Sequence, residues 1–150
     1  GDEAAKALER AIKTEQHKTH LYYLLGVAYM NSERPRKAVK AFEQVIGRYP
    51  DDLYLNLYYS KACLDARYYK KAIESAKRGY ALDSDNFLSV YCLVEGYMYS
   101  RKFDEAIRVL KKAFKNPAFE DRRYNICAKL SYAYFLKNKF DESLKYVATF

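Results

Sequence analysis

THLYYLLGVAYMNSERPRKAVKAFEQVIGRYPDD, residues 19–52, divides into two helical stretches around one short bend. The second stretch starts near Pro35 and carries Ala38, Phe42, Val45 and Ile46 three or four residues apart, which predicts three amphipathic turns. Pro35 stands at or beside the first helical position, where a missing amide hydrogen costs nothing. The bend at residues 31–34 is too short for anything but an antiparallel pair. Tyr49, Pro50, Asp51 and Asp52 then stop the hairpin, and Asp52 offers a side-chain oxygen to a free amide of the next helix.

The pattern recurs along the chain. Ala4, Ala38, Ala72 and Ala106 fall 34 residues apart, and a longer step of 37 reaches Ser143. Leu25, Gly26 and Tyr29 are echoed at Tyr59, Ser60 and Cys63, then at Leu93, Val94 and Tyr97, then at Leu130, Ser131 and Tyr134. Second helices are expected from Tyr69, Phe103 and Phe140, after bends at 66–67, 100–102 and 137–139. Asn86 is the next expected N-cap, and Asn116 with Pro117 stops the third hairpin ahead of the three extra residues. Small residues at Gly26, Ser60 and Ser131 facing Ala38, Ala72 and Ser143 would let paired helices approach closely. One such hairpin cannot bury its own apolar face, so the units must stack into a curved column.

Tyr22, Leu25, Gly26, Tyr29, Ala38, Phe42 and Pro50 stand where the tetratricopeptide repeat family carries its aromatic, leucine, glycine, tyrosine, alanine, phenylalanine and proline residues, and the chain resembles that family. The resemblance implies an all-α, right-handed α-α superhelix. It also implies one array over residues 1–150: a second helix of a truncated repeat at 2–16, repeats at 19–52, 53–86 and 87–120, and a partly truncated one at 121–150. Departures are Asn56 and Cys127 where a large residue is usual, Ala76 for the phenylalanine, and Val94 for a small residue.

The resemblance further implies that the first helix of each hairpin lines a concave wall. The inward positions are His20, Tyr23, Val27, Met30 and Asn31; Tyr54, Leu57, Lys61, Leu64 and Asp65; Leu88, Tyr91, Glu95, Met98 and Tyr99; and Asn125, Ala128, Tyr132, Phe135 and Leu136. Stiff tyrosine rings with a hydroxyl, interleaved with adaptable methionines, suit an extended or helical apolar segment of another protein. A chaperone-tail clamp of Lys, Asn and Arg is missing, because Tyr23, Val27, Tyr58, Leu88 and Cys92 fill its places. The expected function is a protein-binding scaffold, not an enzyme.

Composition sets the bounds. With 150 residues, 50% hydrophobic and 31% charged, the chain can bury a core. Apolar runs such as residues 90–94 are too short to span a bilayer, no export signal is visible, and three cysteines that read as reduced thiols favour a cytoplasmic setting. The net charge of +8 admits an acidic partner. Its basic residues cluster on second helices, including Lys70, Lys71, Lys77, Arg78, Arg108, Lys111 and Lys112. Their plain reading is a solvated convex face. Docking of nucleic acid or an acidic partner there is the alternative function and requires one continuous stripe.

Cys63, Cys92 and Cys127 lack metal-ligand spacing and read as reduced core thiols. His17 and His20 have no third ligand and read as ordinary surface residues. Asp51, Asp52, Asp104 and Glu105 read as helix-start charges, and no phosphate loop or nucleophile motif is present. No metal or cofactor is expected. Leu8 and Ile12 at one end, and Leu144, Val147 and Phe150 at the other, would be partly bare, which predicts a piece of a longer array or self-association.

Overall fold

The structure, a computed structural model, describes residues 1–14 and 19–149. Among them there are only helices: α1 (Asp2–Thr14), α2 (Thr19–Asn31), α3 (Pro35–Glu43), α4 (Leu53–Asp65), α5 (Tyr69–Leu82), α6 (Phe87–Tyr99), α7 (Phe103–Phe114), α8 (Arg123–Leu136) and α9 (Phe140–Ala148), with a 3₁₀ turn at Pro117–Arg122. Each helix packs on the next in sequence. In addition α2 touches α4 and α4 touches α6, whereas the second helices of successive hairpins make no comparable contact with one another. The side on which neighbours meet is the shorter, inner side of a curved stack, so the first helices form the concave layer of an α-α superhelix.

Small side chains set the spacing within hairpins. A Cβ placed on Gly26 would lie 2.5 Å from Cε1 of Phe42, so the Phe42 ring occupies the space a side chain would need. Ser60 Oγ donates to the Ala72 carbonyl at 2.8 Å, and Ser143 Oγ donates to the Ser131 carbonyl at 2.8 Å, which draws the backbones of those hairpins together. Two further close approaches lie outside the small-residue frame. A Cβ on Gly79 would meet Leu57 Cδ2 at 2.4 Å, and one on Gly96 would meet Ile73 Cγ1 at 2.7 Å.

The bends share one device. Glu33, Arg67, Arg101 and Asn138 all have positive φ, of 58°, 65°, 58° and 60°. The following amides reach back to the carbonyls of Tyr29, Cys63, Tyr97 and Tyr134 at 2.8, 2.7, 2.8 and 2.9 Å, the Schellman pattern that satisfies the free carbonyls of a helix end. Side chains other than glycine are strained in this conformation by about 1–2 kcal/mol. Arg67→Gly should therefore raise stability by about 0.5–1 kcal/mol after the larger unfolded-state entropy of glycine is subtracted. Chemical denaturation measures it; a lower midpoint would contradict the bend geometry.

Helix starts follow the expected caps. Asp52 accepts from the Leu55 amide at 2.9 Å, and Asn86 accepts from the Leu88 amide at 3.0 Å. Asn56, out of place as a polar residue in the family frame, is fully buried; its Nδ2 donates to the carbonyls of Pro50 and Asp52, both at 2.8 Å. It ties the inter-repeat turn to α4.

Two expectations are corrected. The helix from Pro35 ends at Glu43, short of Val45 and Ile46, because the next amides bond three residues back to Ala41 and Phe42 and tighten the chain into turns. Val45 still reaches the core. Ile12 is buried at 8% exposure, since α1 packs along α2. The 3₁₀ turn at Pro117–Arg122 lies within the longer step, and its Phe119 is buried. Leu144 and Val147 are exposed, and Phe150 lies outside the described residues.

Cys63, Cys92 and Cys127 are free and buried. Burial pushes the Cys63 thiol up to about 12 and the Cys92 thiol up to about 11, so both are inert packing groups.

Candidate functional site

Of the residues expected to line an inner wall, most lie at the surface and some are withdrawn from it. Tyr54, Tyr91, Tyr99 and Tyr132 are exposed on α4, α6 and α8, with Tyr99 the most open at 60%. Phe135 is exposed beside them. Tyr23, Val27, Met30, Lys61, Leu88 and Met98 are half-buried, presenting part of each side chain.

Leu57 and Glu95 differ. Leu57 is fully buried: it fills the hollow at Gly79 on α5, and its carbonyl lies 3.8 Å from Cys92 Sγ on α6. It cannot meet a ligand. The signal was Gly79 itself, standing 34 residues after Val45 and 34 before Ala113. Glu95 is 8% exposed, and its carboxylate pairs with Lys129 Nζ on α8 at 2.5 Å, an ion pair without hydrogen-bond alignment. A buried carboxylate needs such a partner. Leu64, at 9%, is also mostly withdrawn from the wall.

The aromatic residues form connected groups. Tyr58, which the sequence reading placed only as a filler of the missing clamp, lies 6.2 Å from Tyr23 and 6.1 Å from Tyr54 between ring centroids, and Tyr23 meets Phe42 at 6.1 Å. Groove and core are thereby in contact through one ring. Tyr69, at the start of α5, stacks face to face on Tyr99 at 5.2 Å. Such pairs restrict the rings before any ligand arrives, which lowers the ordering cost of binding.

Burial and neighbouring charges act on the titratable groups of the wall. Burial holds the Tyr91 phenol above its ordinary pKa and the Glu95 charge adds to this, so Tyr91 remains a neutral donor. Burial also raises Tyr23, with Tyr58 contributing. Lys61 is disfavoured as a cation by burial, yet its 2.7 Å bond to Asp65 more than offsets this and raises its pKa.

On the opposite face Lys70, Lys71, Lys77, Arg78, Arg108, Lys111 and Lys112 are exposed. Lys71 bonds Glu43 at 2.9 Å. Lys37, Lys71 and Lys111 lie 5.6, 5.6 and 5.7 Å over the rings of Tyr29, Tyr68 and Tyr134, which gives them a packing role. His20 is exposed beside Tyr23 and Tyr54, while His17 lies outside the described residues. Among the described residues no cluster of His, Cys, Asp and Glu is arranged to hold a metal, and no helix is long and apolar enough to cross a membrane.

Stacked antiparallel hairpins with a first-helix wall define an α-helical repeat solenoid. The Tetratricopeptide repeat family profile matches residues 23–87, which bears out the resemblance read from the sequence. It is 33% identical over 92 residues to Tetratricopeptide repeat protein 21B of Homo sapiens, covering 61% of this chain and 7% of that protein. It is 27% identical over 112 residues to Tetratricopeptide repeat protein 21B of Xenopus laevis, covering 75% and 8%. The chain thus spans less than about a tenth of the length of these curated relatives. Among solved structures it resembles a crystal structure of MamA, with TM-score 0.85 and 21% identity over 97% of this chain and 83% of that one. It also resembles MamA 41-end from Desulfovibrio magneticus RS-1, with TM-score 0.87 and 18% identity over 99% and 82%. At these identities the likeness establishes the fold.

Proposed function

We propose that this chain is a protein-interaction scaffold whose concave wall, built by the first helices of the units at residues 19–52, 53–86, 87–120 and 121–150, holds a segment of a partner protein. The observation that carries this reading is the run of exposed Tyr54, Tyr91, Tyr99 and Tyr132 on the inner helices, with half-buried Tyr23, Met30 and Met98 between them. Exposed tyrosines on one concave face supply rigid apolar area and a hydroxyl for a peptide backbone. No reacting group is needed for this role, and a scaffold is favoured over an enzyme.

If two or three of these rings each contribute about 2 kcal/mol, and association and ordering consume several, the affinity is about micromolar. A partner isolated by pull-down and identified by mass spectrometry provides the ligand for the test. Tyr23→Ala and Tyr91→Ala should each weaken its capture about tenfold or more while the thermal melt stays cooperative. Charge reversal at Lys111 and Lys112 should leave capture unchanged. The opposite pattern, with loss only on charge reversal and a steep fall with salt, would assign binding to the convex basic face.

A further inference from the structure

Where α4 lies against α6, α6 and α8 scarcely touch, and between them opens a pocket of about 390 Å³. It lies beside the longer step from Ala106 to Ser143. The 3₁₀ turn lies within that step, and its Phe119 is 2% exposed and wedges edge-on against Phe87 at the start of α6, with ring centroids 5.5 Å apart. Val90, Val94, Leu110 and Ile126 line the pocket together with the wall tyrosines Tyr91 and Tyr132. Val94, which stands in the frame of Gly26 and Ser60, thus has a use as lining.

The charged residues of the lining are Glu95 and Lys129, which pair across the gap at 2.5 Å. Their charges cancel, so the mouth presents an acceptor and a donor side by side and no net charge. A cationic side chain entering here would have to displace Lys129, and an anionic one would face the buried Glu95; either leaves a charge unpaired at high cost. A peptide unit, with one N–H and one C=O, matches the pair without that cost. The volume lies at the small end of the range for ligand sites, and the lining is apolar with few polar groups. Tyr91 and Glu95 also border a second cavity toward Lys61 and Tyr99, so the pocket adjoins the rest of the groove.

We propose that this pocket receives one bulky uncharged side chain, leucine, methionine or phenylalanine, from an extended partner segment, with its backbone read by Glu95 and Lys129. The inference rests on the groove reading and adds the register of the bound segment to it. The longer step from Ala106 to Ser143, absent from the other units, sets this place apart from the other inter-repeat junctions.

The probes are N-acetyl-leucine N-methylamide and N-acetyl-phenylalanine N-methylamide, titrated into the whole chain and followed by amide NMR shifts, with the blocked lysine amide as the control. Leucine and phenylalanine probes should shift Val90, Val94 and Ala128 saturably in the millimolar range, with the lysine probe at least about tenfold weaker. Ala128 is exposed at the pocket edge, so Ala128→Phe should fill the space without entering the core and weaken both probes about tenfold or more. Ala128→Leu is a second, smaller plug should the first lower the melting temperature. Equal response to the lysine probe, or binding that survives both plugs, overturns the proposal. Partner capture should fall about tenfold in Ala128→Phe. Capture lost in Tyr23→Ala but unchanged in Ala128→Phe would keep the groove and overturn the pocket, and capture unchanged in both would overturn the groove reading itself.

Discussion

Phe42→Ala should lower the unfolding free energy by about 3–5 kcal/mol, the cost of removing a buried aromatic ring and leaving a cavity. The ring is 0% exposed and lies over Gly26, which has no side chain to move into the space. A domain of this size has about 5–15 kcal/mol in all, so the variant should be close to unfolding at physiological temperature. Tyr23 rests edge-on against the same ring, and its mobility should rise with the loss. A double-mutant cycle isolates the contact. Gly26→Ala alone gains about 0.8–1 kcal/mol of helix propensity but forces a methyl into the ring at a cost of about 1–3 kcal/mol. In the Phe42→Ala background the new methyl meets the vacated space, so the same change should become neutral or stabilising. The two effects must then be non-additive by about 1 kcal/mol or more in urea melts. Additive values would show that the α2–α3 hairpin does not close on this pair.

Asn56→Asp should cost about 3 kcal/mol or more at neutral pH although it changes almost no volume. The wild-type Nδ2 donates to two carbonyls from a fully buried position, and the substitution turns a carboxylate oxygen toward them instead. Burial and two facing carbonyl oxygens both disfavour the charged form, so the folded-state pKa must lie above the unfolded value of about 3.9. Between those values the folded state binds more protons, and stability falls as pH rises. Relative to wild type at each pH, the variant should recover part of its loss below about pH 4, lose it progressively above, and level off once the buried group ionises. Asn56→Ala should cost less, about 1–2 kcal/mol, with no such slope. A pH-independent deficit in Asn56→Asp would mean that the side chain turns out to solvent.

The sequence reading placed the helices, their order and the contact pairs Ser60 with Ala72 and Ser131 with Ser143 correctly, because these follow from helical spacing and a repeated frame. It missed the left-handed bends at Glu33, Arg67, Arg101 and Asn138, since none of the four is glycine and the strain is sustained by the Schellman bonds of each helix end. It misplaced Leu57 within the wall, and took Glu95 to be more open than it is, for a common reason. A position in a repeat frame says which side of a helix a residue occupies, but not how much of that side the next helix covers. Gly79 admits Leu57 to the core, and Lys129, arriving from α8, covers Glu95.

Local periodicity therefore determined the hairpins, their antiparallel pairing and the need to stack, because each depends on residues three or four apart and on caps that act within one turn. Tertiary structure alone decided the curvature, the exposure of each wall residue and the opening between α6 and α8. Those depend on distances between helices far apart in the chain, set by how Phe42 and Phe119 fill, and Gly79 leaves open, the space between them.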